Sequence, residues 1–183
     1  MKLTKKGKII FLNGVSSAGK TTLAKALQDL LPEPPYYISN DLFAGMIPGK
    51  YFGDTQKVDE AFSMMYSLIK TFSDGKANVV VDSLLLSMRR LNQCVEALHE
   101  YPVVLVHVMC PAEELRRREE KRGDREIGQG ESQLADLVPT DTYDITVDTS
   151  TNTVENCANE IINKINSDEK FTTFKILWSE SAR

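Results

Sequence analysis

The run Gly14-Val15-Ser16-Ser17-Ala18-Gly19-Lys20-Thr21 gathers residue types that handle phosphate. Glycines let backbone N–H groups turn inward around a polyphosphate, Lys20 brings a charge for its β- and γ-groups, and Thr21 brings a hydroxyl for Mg²⁺. This is the spacing of a nucleotide-binding phosphate loop, with Gly14, Ser16, Ser17, Ala18, Gly19, Lys20, Thr21 and Thr22 as the expected ligand contacts. A glycine turn that fits the pattern by chance is the plain alternative. The flanks weigh against it. Lys8–Asn13 reads as a buried strand, and Leu23, Ala24, Ala26, Leu27, Leu30 and Leu31 recur at helical spacing. A helix opening directly after the loop would add its positive dipole end to the same anion site.

Other candidate groups lie at predicted strand ends, where ligands gather in an open parallel sheet. Asp41 follows Tyr36-Tyr37-Ile38-Ser39 and is placed to take the proton of an attacking hydroxyl. Capping the segment Leu42-Phe43-Ala44 is its other reading, and position leaves both open. Asp82 closes Val79-Val80-Val81 like a Walker-B carboxylate, set to hold Mg²⁺ together with Thr21. Asp148 reads as structural. Arg116 and Arg117, interleaved with glutamates, read as a solvated helix face. Arg122-Gly123-Asp124-Arg125 falls where that helix breaks into a glycine-bearing segment, which suits a lid (about 118–135) closing its arginines on a phosphoryl group. His99 and His107 lack partners at metal-ligand spacing, and His107 reads as a strand residue. Phe43, Tyr51 and Phe52 fall in the segment after Asp41, about 41–60, that would hold an acceptor.

These residues need a scaffold, and strand-like and helix-like segments alternate along the chain. Strands are predicted at Lys8–Asn13, Tyr36–Ser39, Asn78–Asp82, Pro102–Met109 and Tyr143–Asp148. Helices between them are marked by Phe62, Met65, Tyr66, Ile69 and Phe72, by Leu91, Val95 and Leu98, and by Val154, Ala158, Ile161, Ile162 and Ile165. The expectation is a three-layer α/β/α fold around a five-stranded parallel sheet, a P-loop NTPase in one domain spanning 1–183. The irregular Gly45–Gly53 stretch, the polar Gly123–Gly130 segment and the tail from Ser167 with Trp178 yield no element.

The 183 residues suit a single core, and 42% hydrophobic with 26% charged residues is ordinary for a globular protein. A net charge of −4 marks no nucleic-acid or membrane surface. Cys94, Cys110 and Cys157 are widely spaced and read as buried free thiols in a reducing compartment. No apolar stretch approaches the ~20 residues of a membrane span, so a cytoplasmic protein is expected. Oligomeric state has no signature here.

The combination resembles the chloramphenicol phosphotransferase-like family of P-loop kinases. The resemblance rests on Leu12-Asn13-Gly14 through Thr21 with its Ser-Ser-Ala insert, on Leu31-Pro32-Glu33-Pro34 followed by Asp41, and on Val79-Val80-Val81-Asp82. It continues through Arg122-Gly123-Asp124-Arg125, Gly128, Gln133, Tyr143-Asp144 and Val147-Asp148-Thr149. It implies an ATP-dependent O-phosphotransferase of the nucleotide- and shikimate-kinase fold type, with Asp41 as general base. Lys20 and Arg125 would act on the phosphoryl, and Arg118 and Arg122 would contact ATP. Chloramphenicol or a related antibiotic is the small-molecule hydroxyl acceptor that it suggests. Two features depart from the family's antibiotic kinase: the stretch from Pro48 to Gly75 is shorter, and Ser83 replaces a second acidic residue. A nucleotide, nucleoside or sugar-nucleotide kinase and a nucleotide-dependent switch are the competing readings. The switch leaves Asp41 and the arginine segment without a task.

Overall fold

The structure, a computed structural model, describes residues 6–51, 53–124, 126–137, 143–167 and 171–181. Five strands, β1 (Ile9–Asn13), β2 (Tyr36–Ser39), β3 (Val79–Ser83), β4 (Val103–Met109) and β5 (Ile145–Asp148), form one sheet in the order β2-β3-β1-β4-β5. Every neighbouring pair is parallel. β1 and β3 are buried along their whole length. Both faces are covered, so these strands read as continuous apolar runs rather than alternating ones. β5 starts later than the sequence suggests. The Asp144 carboxyl accepts the Leu105 N–H at 2.8 Å and the Thr173 hydroxyl at 2.5 Å, standing in for a strand carbonyl.

Periodicity selects the helices and side-chain oxygens begin them. On one face α1 (Lys20–Leu30) buries Leu23, Ala24 and Leu27, and α7 (Val154–Asn166) buries Cys157, Ala158, Ile161 and Ile165. Leu115 of α5 (Ala112–Arg122) joins them against Ile10, Leu12, Val104 and Val106. On the other face α3 (Thr55–Asp74) packs Met65, Tyr66 and Ile69, and α4 (Met88–Leu98) packs Leu91, Val95 and Leu98, against Ile9, Phe11 and Val81. Asp54 caps α3 through the Gln56 and Lys57 N–H groups, Ser87 caps α4 and Thr153 caps α7.

Three stretches without sequence signal acquire structure. Residues after β2 form α2 (Asn40–Ala44) and a single tight turn, Gly49–Tyr51. The glycine-bearing segment after α5 leads into α6 (Gln129–Gln133). The tail forms α8 (Thr173–Ser181), whose Phe174 packs on Phe11 at 6.3 Å between ring centroids. Trp178 stacks on His99 at 4.1 Å. All three cysteines are free and buried, and His107 is a buried strand residue stacked on Tyr143.

Candidate active site

Between β1 and α1 the chain turns so sharply against β4 that a Cβ at Gly14 would lie 2.5 Å from the Val108 carbonyl oxygen. Only glycine fits there. Gly19 sits at φ +95° as the N-cap of α1, and Ser17 adopts φ +65°, a left-handed conformation that a side chain disfavours. Among the described residues no side chain caps α1, which leaves its first-turn N–H groups for a ligand at the loop.

The same cleft, about 390 Å³, is lined by Ser17, Gly19, Lys20 and Thr21 of this turn and by Asp41 and Asp82 from the ends of β2 and β3. Thr21 donates its hydroxyl to Asp82 Oδ2 at 2.6 Å, and Tyr37 donates to the same oxygen at 3.1 Å. Lys20 Nζ stands 3.8 Å from Asp82 Oδ1 and donates to the Val15 carbonyl at 2.9 Å. Burial, reinforced by the neighbouring Asp82, pushes the Tyr37 phenol above its ordinary range. Tyr37 had no sequence signal beyond strand propensity, because its side chain meets Asp82 only through strand pairing.

Asp41 lies in the first turn of α2, where the capping role goes to Ser39: its hydroxyl accepts the Leu42 N–H at 3.3 Å. Asp41 lines the cleft, as do its neighbours Ser39 and Asn40 and, across the β2–β3 pair, Ser83. Asn40 Oδ1 and Ser83 Oγ are buried without a hydrogen-bond partner among the described residues. Sequence reasoning noted Ser83 only as a departure and passed over Asn40.

On the far side of the loop, Arg118 is spent on structure as much as on the cleft. Its guanidinium donates to the Ser17 carbonyl at 3.3 Å, to Thr149 Oγ1 at 3.1 Å, to the Thr149 carbonyl at 2.7 Å and to Glu114 at 2.8 Å. Thr149 in turn donates its hydroxyl to the Ala18 carbonyl at 2.7 Å. Hydrogen bonds from Arg117 and Arg118 hold the Glu114 carboxyl down at about 2. Arg117 pairs with Glu114 and Arg116 with Glu131, as a solvated helix face predicts. Arg122 ends α5, lines the cleft and pairs with Asp124 at 3.1 Å. Arg125 lies outside the described residues, as does Phe52. Asp148 accepts from the Ser150 N–H and hydroxyl, a turn role.

The sequence matches the chloramphenicol phosphotransferase-like protein family over residues 7–166. The chain belongs to that family. A Mycobacterium tuberculosis protein provisionally named an O-phosphotransferase is 31% identical over 181 residues, with 85% of this chain and 80% of that one covered. Among solved structures, the fold is similar to Mycobacterium tuberculosis APS kinase in complex with AMPPNP and APS, at a TM-score of 0.71 and 15% identity, covering 90% of this chain and all of that one. Acinetobacter baumannii shikimate kinase in complex with shikimate aligns at a TM-score of 0.60 and 17% identity, covering 90% and 96%. At those identities the likeness speaks for the fold, which is that of P-loop kinases. As a member of the chloramphenicol phosphotransferase-like family with this fold, the protein is a kinase-type phosphotransferase. Among the described residues no helix is long and apolar enough to cross a membrane.

Proposed function

We propose that the protein is a single-domain, cytoplasmic enzyme that transfers the γ-phosphoryl group of ATP to a hydroxyl of a small molecule. One observation carries this reading: Asp41 and the phosphate loop line the same cleft. A nucleotide seated in Gly14–Thr21 would direct its terminal phosphate toward the β2 and β3 ends, where Asp41 and Asp82 stand. Asp41 orients the acceptor hydroxyl and takes its proton as the new O–P bond forms and the bond to the β-phosphate oxygen breaks. The inward N–H groups of the loop, Lys20 and Arg122 stabilise the charge on the transferring group. Arg118 holds the loop on the side away from Asp41, and we assign it contact with the nucleotide there.

Thr21 Oγ1 and Asp82 Oδ2, 2.6 Å apart, bring two hard oxygen donors to one point beside the loop. That donor set suits Mg²⁺, which takes few protein oxygens and keeps waters and phosphate oxygens in its shell. Bound there, the ion would neutralise charge on the β- and γ-phosphates.

Chloramphenicol or a related antibiotic is the acceptor suggested by family membership. A nucleotide, nucleoside or sugar-nucleotide acceptor is the second reading; the polar residues Ser39, Asn40 and Ser83, which line the cleft with Asp41, suit a molecule rich in hydroxyl groups. Incubation with ATP, Mg²⁺ and a panel holding chloramphenicol, nucleosides and sugars, read by mass spectrometry, tests both. A product heavier by one phosphoryl group identifies the acceptor class; hydrolysis of ATP unaffected by every alcohol overturns the transfer reading.

A further inference from the structure

Glu119 is the one group on α5 that its sequence setting hides. It stands among arginines and glutamates that face solvent, yet it is completely buried. Its two carboxyl oxygens face no cation among the described residues. Oε2 accepts the Gly128 N–H at 2.7 Å and Oε1 accepts the Gly130 N–H at 2.8 Å. A buried carboxyl is expensive unless hydrogen bonds satisfy it, so this one holds the chain to a single path. It draws the start of α6 back onto α5 across the whole arginine-bearing connection.

What α6 is drawn against is the phosphate loop. At Gly130 a Cβ would stand 2.6 Å from the Ser16 carbonyl oxygen, 3.1 Å from Glu119 Oε1 and 3.4 Å from Leu115. The three chain segments meet at that point with no room for a methyl group. Three residues on, Gln133 Oε1 accepts the Ser16 N–H at 2.8 Å, and the Gln133 side chain lines the cleft. The loop backbone is thus held at consecutive residues: Ser16 by α6, Ser17 by Arg118 and Ala18 by Thr149. Ser17 sits in the left-handed region in the middle of that grip. A strained residue persists where its surroundings over-determine it.

We infer that Glu119, Gly130 and Gln133 are positioning residues forming a clamp that sets the phosphate loop in its nucleotide-ready conformation before ligand arrives. This rests on the proposed nucleotide role of the loop. Glu119 shapes the turn, Gly130 permits the close approach, and Gln133 makes the contact. A neutral carboxamide suits the last position, because it accepts the Ser16 N–H without placing a negative charge beside the phosphates. The loop's remaining N–H groups then need no rearrangement on binding, which is the energetic content of pre-organisation.

Calorimetric titration of ATP into the parent and into Gln133→Ala, Gly130→Ala and Glu119→Gln tests the clamp, with melting temperature and steady-state rates measured alongside. Losing one such bond should weaken ATP binding about fivefold in Gln133→Ala. Acceptor KM and the rate at saturating ATP should stay within about twofold, since pre-organisation acts on nucleotide binding. Lowered melting temperatures with parental ATP affinity per folded molecule would show a merely structural role and overturn the clamp. Gln133 is half-buried and outside the core, so its variant decides the matter even where the other two fail to fold. A parent that binds no ATP overturns the proposed function itself, whereas a parent that binds with unaffected variants overturns only the clamp.

Discussion

The two ends of the cleft are built to different standards. Around the phosphate loop, Ser16, Ser17 and Ala18 are each held by a side chain from a distant part of the chain, and Thr21, Tyr37 and Lys20 converge on Asp82. Around Asp41 the scaffold is a five-residue helix, one serine cap and a single tight turn. Two buried polar atoms there have no partner among the described residues. Among the described residues, the proposed donor end carries more long-range side-chain hydrogen bonds than the proposed acceptor end. Charge on a phosphoryl group is the same for every acceptor, so its machinery repays rigidity. The proposed acceptor wall has to match one particular molecule, and α2, which lines it, is a short helix of its own at the end of β2.

Substitutions at each end sharpen this contrast. The largest effect is expected at Asp41: Asp41→Asn should lower kcat by about 10²–10⁴ while ATP affinity stays near parental, as loss of a general base predicts. An undiminished kcat would break the assignment. Arg118→Ala comes next. It removes contacts to Ser17 and Thr149 and should raise the KM for ATP about tenfold, with a smaller effect on the acceptor KM. An increase in acceptor KM alone would reverse the two ends. Ser83→Ala should change the acceptor KM by only about threefold and leave ATP binding alone, since it touches a single orphaned hydroxyl.

The smallest effect is a pH dependence outside the cleft. Burial lowers the His107 pKa below its ordinary 6.5, so the unfolded chain binds a proton more readily than the folded one. The stability this contributes is present above about pH 6.5 and is lost as pH falls toward the depressed folded value. Denaturant midpoints measured at about pH 7.5 and about pH 5.5 should differ more in the parent than in His107→Asn. Equal differences would assign the acid sensitivity to other groups.

Much of the donor end was legible beforehand because its signals are local. The phosphate loop is eight consecutive residues, and a strand buried on both faces announces itself by an unbroken apolar run such as Val79-Val80-Val81. Asp41 was ambiguous for a local reason too: a carboxylate before Leu42-Phe43-Ala44 looks like a cap, and only Ser39 taking the Leu42 N–H resolves that. Glu119 was illegible because charge patterning averages over a helix, whereas burial is decided by what packs on one side of it. The tail after Ser167 escaped notice for the same reason, since Phe174 and Trp178 find their partners in Phe11 and His99, far away in sequence.

The order of residues alone therefore determined the phosphate-binding turn, the parallel α/β alternation and the identity of the acidic groups at the strand ends. Those features follow from short-range sterics and hydrophobic period. Tertiary structure decided which acidic residues line the cleft, which carboxyl is sealed beneath α6, and that the loop is held from distant segments. The grip on the loop depends on contacts between residues more than a hundred positions apart, such as Ser16 with Gln133 and Ala18 with Thr149, and no local pattern encodes such pairings.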